Sequence, residues 1–265
     1  MEIKDTFVWK PAKNTRNNYF LLPRDIRCLI IGRSHSGKTV LLSYLLLETG
    51  ILDYDTLTIC GRTLHQPEYQ IMRLAFSKGL SKSQIKVLFE RQADVEEEGG
   101  IEKVISSYDG PCSGKIKVTF EEDPTKIPDP RSFDRSKKNT IVLDDVMLSP
   151  QSNIENYFCR GRHISLDIFY ISQSYLKISR HCIRQNSNFF IFFKQCQKDL
   201  QHIYYDLCAI DGIPYEKFVN FCSYVWEESP HNFVVIDLTR PADCGKYRKC
   251  MDEYWSWKYD RIITE

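Results

Sequence analysis

The feature that most constrains this chain is a run of eight residues that fits the phosphate-binding loop pattern G-x-x-x-x-G-K-[ST]. The apolar segment Cys28 to Ile31 leads into it, and the apolar segment Val40 to Leu47 follows it, with Gly50 just beyond. A strand that delivers such a loop and a helix that leaves it bring backbone N–H groups and a helix N-terminus to one phosphate. These flanks predict nucleoside triphosphate binding by the loop residues Gly32, Arg33, Ser34, His35, Ser36, Gly37, Lys38 and Thr39. The alternative is an ordinary turn in which the glycines only supply positive φ.

Composition and charge limit the classes of protein to which this chain can belong. The chain has 265 residues and 42% hydrophobic content, enough for one large α/β domain over 1–265, with an N-terminal extension at about 1–20 and an irregular insert at about 90–138. Lys and Arg total 36 against 35 for Asp and Glu, so no global field attracts a polyanion. Ten cysteines without CxxC spacing, as at Cys28, Cys60, Cys196 and Cys208, indicate buried reduced thiols. With no signal-peptide pattern at the N-terminus and no apolar run of membrane-spanning length, we expect a soluble intracellular protein without membrane insertion.

Short apolar runs alternate with helical patterns along the chain. Helices are expected at Gln66 to Gly79 and at Ile101 to Tyr108, and an alternating strand at a sheet edge is expected at Lys115 to Phe120. Runs that are apolar on both faces suit a mainly parallel sheet covered by helices on both sides. Besides the strand before the loop, the predicted strands are 55–60, 140–143, 166–171, 188–193 and 233–238.

A second acidic element follows at the end of an apolar strand. Asn139 to Leu143 runs directly into Asp144 and Asp145, the arrangement of a Walker B element. One carboxylate at a strand tip can hold Mg²⁺ opposite the hydroxyl of Thr39, and the second can polarise a water molecule. We assign Asp144 to the metal and Asp145 to the water. The alternative is that the two acids only cap the turn that follows.

The spacing between these elements favours one class of phosphate-loop protein. Asp144 lies 105 residues after Thr39, which leaves room for an intervening strand and helices and fits a motor-type ATPase. The strand that follows, Asp167 to Ser172, ends in Gln173. If that strand lies between the other two, Gln173 faces the γ-phosphate and its water, as the sensor does in ATPases with an additional strand. The alternative is a glutamine that bonds loop amides.

Arginines are the remaining candidates, because a guanidinium can meet the charge that spreads in phosphoryl transfer. Arg160 and Arg162 precede the strand that ends in Gln173, and Arg184 follows it. Each could act in its own subunit or in a neighbour, and each could equally belong to a solvated basic loop.

Taken in order, these motifs resemble those of the viral genome-packaging ATPases of the FtsK/HerA superfamily, above all those of poxviruses, virophages and Maverick/Polinton elements. The resemblance covers roughly residues 20 to 260. The matching elements are Pro23-Arg24-Asp25, the phosphate loop, Gly61-Arg62-Thr63, Asp144-Asp145, Gly161-Arg162-His163, Gln173-Ser174-Tyr175, Ile183-Arg184-Gln185-Asn186-Ser187 and Gly245-Lys246-Tyr247-Arg248.

The resemblance implies a RecA-like core of the additional-strand class that forms a ring, expected to be hexameric. Such a ring would use ATP and Mg²⁺ to thread double-stranded DNA into preformed capsids, with capsid or vertex proteins as partners, at the viral assembly site in the host cell or in the virion. It implies phosphate and metal contacts for Lys38 and Thr39, Walker B roles for Asp144 and Asp145, and γ-phosphate sensing by Gln173. For the arginine finger, we favour Arg162 over Arg160 and Arg184. This chain departs from the usual Asp-Glu of FtsK-like motors, since its Walker B acids are Asp-Asp.

Two surfaces are candidates for sequence-independent contacts to DNA phosphates. One is the basic stretch Arg131 to Lys138, and the other is the cluster Arg240, Lys246, Arg248 and Lys249. The sequence also leaves open a nucleotide-dependent switch or scaffold with slow turnover that acts through a partner, and a small-molecule phosphotransferase.

Overall fold

The apolar runs of the sequence form a ten-stranded sheet in the computed structural model, which describes residues 21–91, 100–106, 108, 110, 112, 114–161 and 166–263. The strand order is β10-β9-β8-β7-β6-β1-β5-β4-β2-β3, and all pairs from β6 to β3 are parallel. The strands are β1 Arg27–Ile31, β2 Thr56–Gly61, β3 Lys117–Glu121, β4 Asn139–Asp144, β5 Leu166–Ser172, β6 Phe189–Phe192, β7 Val234–Asp237, β8 Tyr247–Lys249, β9 Glu253–Ser256 and β10 Arg261–Ile263.

Helices cover both faces of this sheet, because successive side chains of the central strands point to opposite sides. From β1, Cys28 and Ile30 pack with α1 to α4, whereas Leu29 and Ile31 pack with α5 to α7. The helices are α1 Lys38–Leu47, α2 Pro67–Ser77, α3 Lys82–Glu90, α4 Ile101–Ser106, α5 Gln151–Arg160, α6 Gln197–Ile203, which continues into a π-helical turn at Tyr204–Cys208, and α7 Tyr215–Glu228. The predicted α/β class, with β5 as the additional strand between β1 and β4, is confirmed.

The sheet is mainly but not entirely parallel. The sequence pattern predicts a parallel strand for the run 233–238, and the structure shows an antiparallel one. Strand β7 pairs antiparallel with β6, and β8, β9 and β10 extend the sheet as an antiparallel meander. A strand that is apolar on both faces has the same sequence pattern whether it pairs parallel or antiparallel, so the pattern could not distinguish the two arrangements. The last three strands contain charged residues and gave no strand signal.

The segment expected to be an irregular insert contributes regular structure. Strand β3 pairs parallel with β2 and forms the outer edge of the sheet, as predicted for that run, and α4 matches the helix predicted there.

Helix α3 was not predicted. It begins with a capping box in which Ser81 and Gln84 exchange hydrogen bonds, and only two of its residues are buried, so its apolar stripe is short.

Among the cysteines, Cys28, Cys60, Cys208 and Cys222 are buried, whereas Cys196, which we had expected to be buried, is exposed. None of the helices in the described ranges has the length and apolar character needed to cross a bilayer.

Candidate functional site

The carboxyl ends of three neighbouring strands lie level with one another and open into one cavity. In the pairing register Ile31 of β1 lies opposite Ser172 of β5, and Asp144 of β4 lies opposite Ile171 of β5. The loops that follow these strands therefore leave the sheet side by side. Together they border a cavity of about 990 Å³, whose lining includes the loop residues from Ser34 to Thr39, together with Asp144, Asp145 and Gln173.

The phosphate loop is anchored at its start and left-handed at two of its residues. The N–H of Gly32 donates to the carbonyl of Ser172 at 3.1 Å, which ties the loop to β5. His35 has φ 61° and Gly37 has φ 101°. Left-handed residues of this kind are typical of loops whose N–H groups form a nest for an anion, and here they directly precede the N-terminus of α1. A side chain at Gly32 is excluded, because a Cβ there would lie 2.6 Å from Ser36 Oγ and 2.8 Å from Phe193 Cβ.

The loop residues fit a triphosphate chemically. Lys38 Nζ donates to the carbonyl of Arg33 at 2.6 Å, so its only hydrogen bond among the described residues is to the loop itself. Burial lowers the pKa of Lys38, and the nearby Asp144 opposes that shift. Ser36 Oγ is buried and has no partner among the residues that the structure describes, which leaves it free for a phosphate oxygen.

Asp144 and Thr39 supply the oxygen ligands that Mg²⁺ prefers. Asp144 is 6% exposed, and its Oδ2 accepts a 2.6 Å hydrogen bond from the hydroxyl of Tyr69. Burial raises the pKa of Asp144, while the bond from Tyr69 and the charge of Lys38 lower it. The hydroxyl of Thr39 donates to Gln66 Oε1 at 3.3 Å, which leaves its oxygen lone pairs available. The residues present therefore fit a magnesium ion held between the loop and β4.

The backbone at the tip of β4 is packed against β2. Gly61 lies opposite Asp144, and a Cβ on Gly61 would come within 2.4 Å of the Asp144 carbonyl oxygen. The next residue, Asp145, adopts φ 52°, a left-handed conformation that aspartate tolerates better than most residues. This turn carries Asp145 off the strand direction, and its half-buried side chain lines the cavity beside Asp144.

Gln173 lies where the sequence analysis expected it. It directly follows β5, which lies between β1 and β4, and its exposed side chain lines the cavity. A glutamine amide here can donate and accept hydrogen bonds toward a terminal phosphate and a water molecule.

The three candidate arginines have different positions. Arg162 lies outside the described residues. Arg160 is exposed at the end of α5, near the amino end of β5 and thus away from the cavity. Arg184 is part of the protein interior: its side chain is 10% exposed, Nη1 bonds Asp206 Oδ2 at 2.8 Å, and the guanidinium lies 4.6 Å from the Tyr175 ring centre. Arg184 precedes β6 and would have to break this ion pair to reach any nucleotide, which argues against its assignment as a catalytic arginine.

The second candidate DNA-binding cluster is not a surface patch, which corrects that expectation. Arg248 is fully buried and bonds Asp237, and the side chain of Arg240 is 7% exposed beside the same carboxylate. Lys246 bonds Asp211, and Lys249 bonds Glu228. These ion pairs link β8 to β7 and to the helical segments that contain Asp211 and Glu228. In the stretch from Arg131 to Lys138, by contrast, most side chains are exposed.

Sequence reasoning missed Gln66, His231 and Phe233, which line the cavity, and also Tyr69, which lies behind it and bonds Asp144. Gln66 and Tyr69 lie in the first turn of the helix after β2, and no phosphate-loop motif includes that position. His231 contacts the carbonyl of Ser36 at 3.4 Å, and Phe233 packs on Phe193, because the antiparallel β7 begins at the same edge of the sheet. Only knowledge of that strand direction would have revealed the last two.

Comparisons with known proteins complete this description. No family model and no curated protein gave a significant match to the sequence. Among solved structures, the chain is similar to the genome packaging NTPase B204 of Sulfolobus turreted icosahedral virus 2 in complex with ATPγS, with 12% identity over 82% of this chain and 94% of that chain and a TM-score of 0.46. It is also similar to VirB4 of Thermoanaerobacter pseudethanolicus, with 12% identity over 81% of this chain and 87% of that chain and a TM-score of 0.43. Because identities and TM-scores are low, the function proposed below depends on the residues of this chain.

Proposed function

We propose that this chain is an ATP-hydrolysing motor that moves double-stranded DNA and packages it into preformed capsids. The observation that carries the ATPase part is the meeting of Lys38, Thr39, Asp144 and Gln173 at one cavity, although they are widely separated in sequence. The position of β5 between β1 and β4 supports the motor class over kinases and GTPases.

The residues take distinct roles in hydrolysis of the β–γ phosphate bond. The loop N–H groups and Lys38 hold the β- and γ-phosphates and balance the charge that grows as the bond breaks. Thr39 and Asp144 would hold Mg²⁺, which when bound would neutralise charge on the phosphate oxygens. Gln173 orients the attacking water, and Asp145 accepts a hydrogen bond from it. An aspartate carboxylate reaches one carbon less than glutamate, so the left-handed turn at Asp145 helps direct it toward the cavity.

Coupling to DNA is supported by the order of motifs along the chain, which resembles that of viral packaging ATPases. Packaging must accept any sequence, so the contacts go to phosphates. With a net charge near +1 the contacts must be local, and the exposed residues Arg135 and Lys137 before β4 are candidates. The same resemblance implies a ring of identical subunits, and we include in the proposal that DNA passes through its shared channel.

The decisive experiment measures ATP hydrolysis by the purified protein with and without long duplex DNA, under conditions where rings are seen by electron microscopy. We expect DNA to stimulate turnover regardless of its sequence, and stimulation to weaken as salt is raised. Rings that hydrolyse ATP no faster with DNA would contradict the motor and favour a nucleotide-dependent switch. Consumption of ATP by monomers that requires a small acceptor and transfers the γ-phosphate to it would instead favour a phosphotransferase.

A further inference from the structure

The first turn of α2 contacts both halves of the metal site. Tyr69 donates its hydroxyl to Asp144 Oδ2 at 2.6 Å, and Gln66 accepts from the hydroxyl of Thr39 at 3.3 Å. These two side chains lie three residues apart, which places them on the same face of the helix. One short segment therefore touches the loop oxygen and the strand-tip carboxylate that fit Mg²⁺.

We infer that Gln66 and Tyr69 are positioning residues that fix the two protein ligands of Mg²⁺. This inference rests on the proposed function and adds to it the part of the fold that prepares the metal site. Tyr69 donates to Oδ2 of Asp144 and so holds this carboxylate at the edge of the cavity that Asp144 lines. Gln66 accepts the hydrogen bond of the Thr39 hydroxyl and so directs the oxygen lone pairs of Thr39 away from α2.

The burial of Tyr69 explains why it can hold the carboxylate in one orientation. Its side chain is fully buried in the cluster that contains β1, α1 and α2, so the ring cannot change rotamer freely. Asp144 is fixed from the other side by β2, where Gly61 allows close approach of the backbone. A carboxylate that is clamped in this way loses little conformational entropy when it binds a cation.

Buried tyrosines elsewhere in the protein satisfy their hydroxyls away from the cavity: Tyr175 and Tyr247 donate to Asp206 and Asp211, which do not line it. Tyr54, in the same cluster, is 3% exposed and donates to the backbone carbonyl of Leu46 at 2.9 Å. Tyr69 instead reaches an acidic side chain 75 residues away that lines the nucleotide cavity.

The test measures metal binding without relying on hydrolysis. The probe is Mn²⁺, which is paramagnetic and replaces Mg²⁺, titrated into the full chain with saturating ATPγS and followed by electron paramagnetic resonance. We expect Tyr69→Phe to raise the dissociation constant for Mn²⁺ by about 10- to 100-fold, the range found when outer partners of metal ligands are removed. Gln66→Ala should raise it in the same direction by a smaller factor. Binding of fluorescent ATPγS in EDTA should stay unchanged in both variants, because the loop holds the phosphates.

Tyr54→Phe is the matched control, since it removes a buried hydroxyl from the same cluster and should leave the Mn²⁺ constant unchanged. If Tyr69→Phe and Gln66→Ala bind Mn²⁺ as tightly as the unsubstituted protein, the positioning role is wrong, while the proposed function stands. If the unsubstituted protein binds neither ATPγS nor Mn²⁺, the proposed function itself is wrong. Should Tyr69→Phe fail to bind ATPγS in EDTA, it has lost its fold, and Gln66→Ala, at the half-buried start of the helix, decides the question.

Discussion

Cations and aspartates meet in two regions of this molecule, and they are arranged in opposite ways. At the cavity, Lys38 donates to a backbone carbonyl and Asp144 accepts from a tyrosine, and no ion pair joins the two among the described residues. In the antiparallel part of the sheet, Arg248 and Asp237 are both fully buried and bond each other directly.

The difference separates residues that serve a ligand from residues that serve the fold. Neutral partners orient Lys38 and Asp144 while leaving their charges available to phosphate and metal. The Arg248–Asp237 pair neutralises itself, and Arg248 also donates to the carbonyl of Leu21, which ties the start of the described chain to β8. The three predictions below test this contrast.

The largest effect should come from Lys38→Ala, which removes the only ammonium at the loop. We expect hydrolysis to fall to the background of the assay, on the order of 10³-fold or more, because the charge that develops on the phosphates loses a fixed cation. The measurement is steady-state phosphate release at saturating ATP. Lys217→Ala, which breaks the exposed pair with Asp260, is the control and should retain full activity. Retention of hydrolysis in Lys38→Ala would refute the site assignment.

Arg248→Ala should mainly affect folding. Removing one partner of a buried ion pair costs about 3–5 kcal/mol in the free energy of unfolding. Arg240, whose Nε lies 3.3 Å from the same Asp237 oxygen, should offset part of that cost. Urea denaturation followed by tryptophan fluorescence measures this cost, and Lys217→Ala again gives the comparison, with a loss of about 1 kcal/mol or less. A loss for Arg248→Ala as small as that of Lys217→Ala would mean that the pair is not structural, and the contrast between the two regions would fail.

The smallest effect concerns Lys82, a half-buried lysine that belongs to neither region. Its ammonium donates to the carbonyl of Leu52 at 2.6 Å and lies 3.7 Å from the centre of the Tyr54 ring. Burial lowers the pKa of Lys82 to about 8, and the charge of Asp53 only partly opposes this. The folded chain thus releases the proton near pH 8, whereas the unfolded chain keeps it up to the ordinary lysine pKa, about 10.4. The unfolded state binds more protons in that window, so the contribution of Lys82 to stability rises with pH there.

Thermal unfolding at pH 7, 8.5 and 10 tests this sign. The melting temperature of Lys82→Met should rise less with pH than that of the unsubstituted protein, and Lys217→Met, at an exposed position, should not change the slope. Identical slopes for all three proteins would show that Lys82 keeps its ordinary pKa. In that case a bond to a neutral carbonyl, which Lys38 and Lys82 share, would not by itself identify Lys38 as a ligand-binding lysine.

Much of the fold was readable from the sequence because the central strands are short, apolar on both faces and bounded by clear signals. The phosphate loop, the acids after β4 and Gln173 after β5 each follow an apolar run, and parallel strands bring such ends to one edge. The direction of β7 was not readable, since burial on both faces looks the same either way. Tyr69 was not readable either, because its role depends on where α2 packs, and Arg248 looked like a surface cation because an ion pair with Asp237 leaves no local pattern.

The reversed direction of β7 has a consequence for how the cavity is completed during synthesis. His231 and Phe233 form one wall of the cavity, and they lie almost 200 residues after the phosphate loop in the chain. A nascent chain emerging from the ribosome exposes its loop long before this wall exists. Translation must pass β7 before the loop gains the contacts of His231 and Phe233, so high-affinity nucleotide binding should be acquired only after β7 has been synthesised.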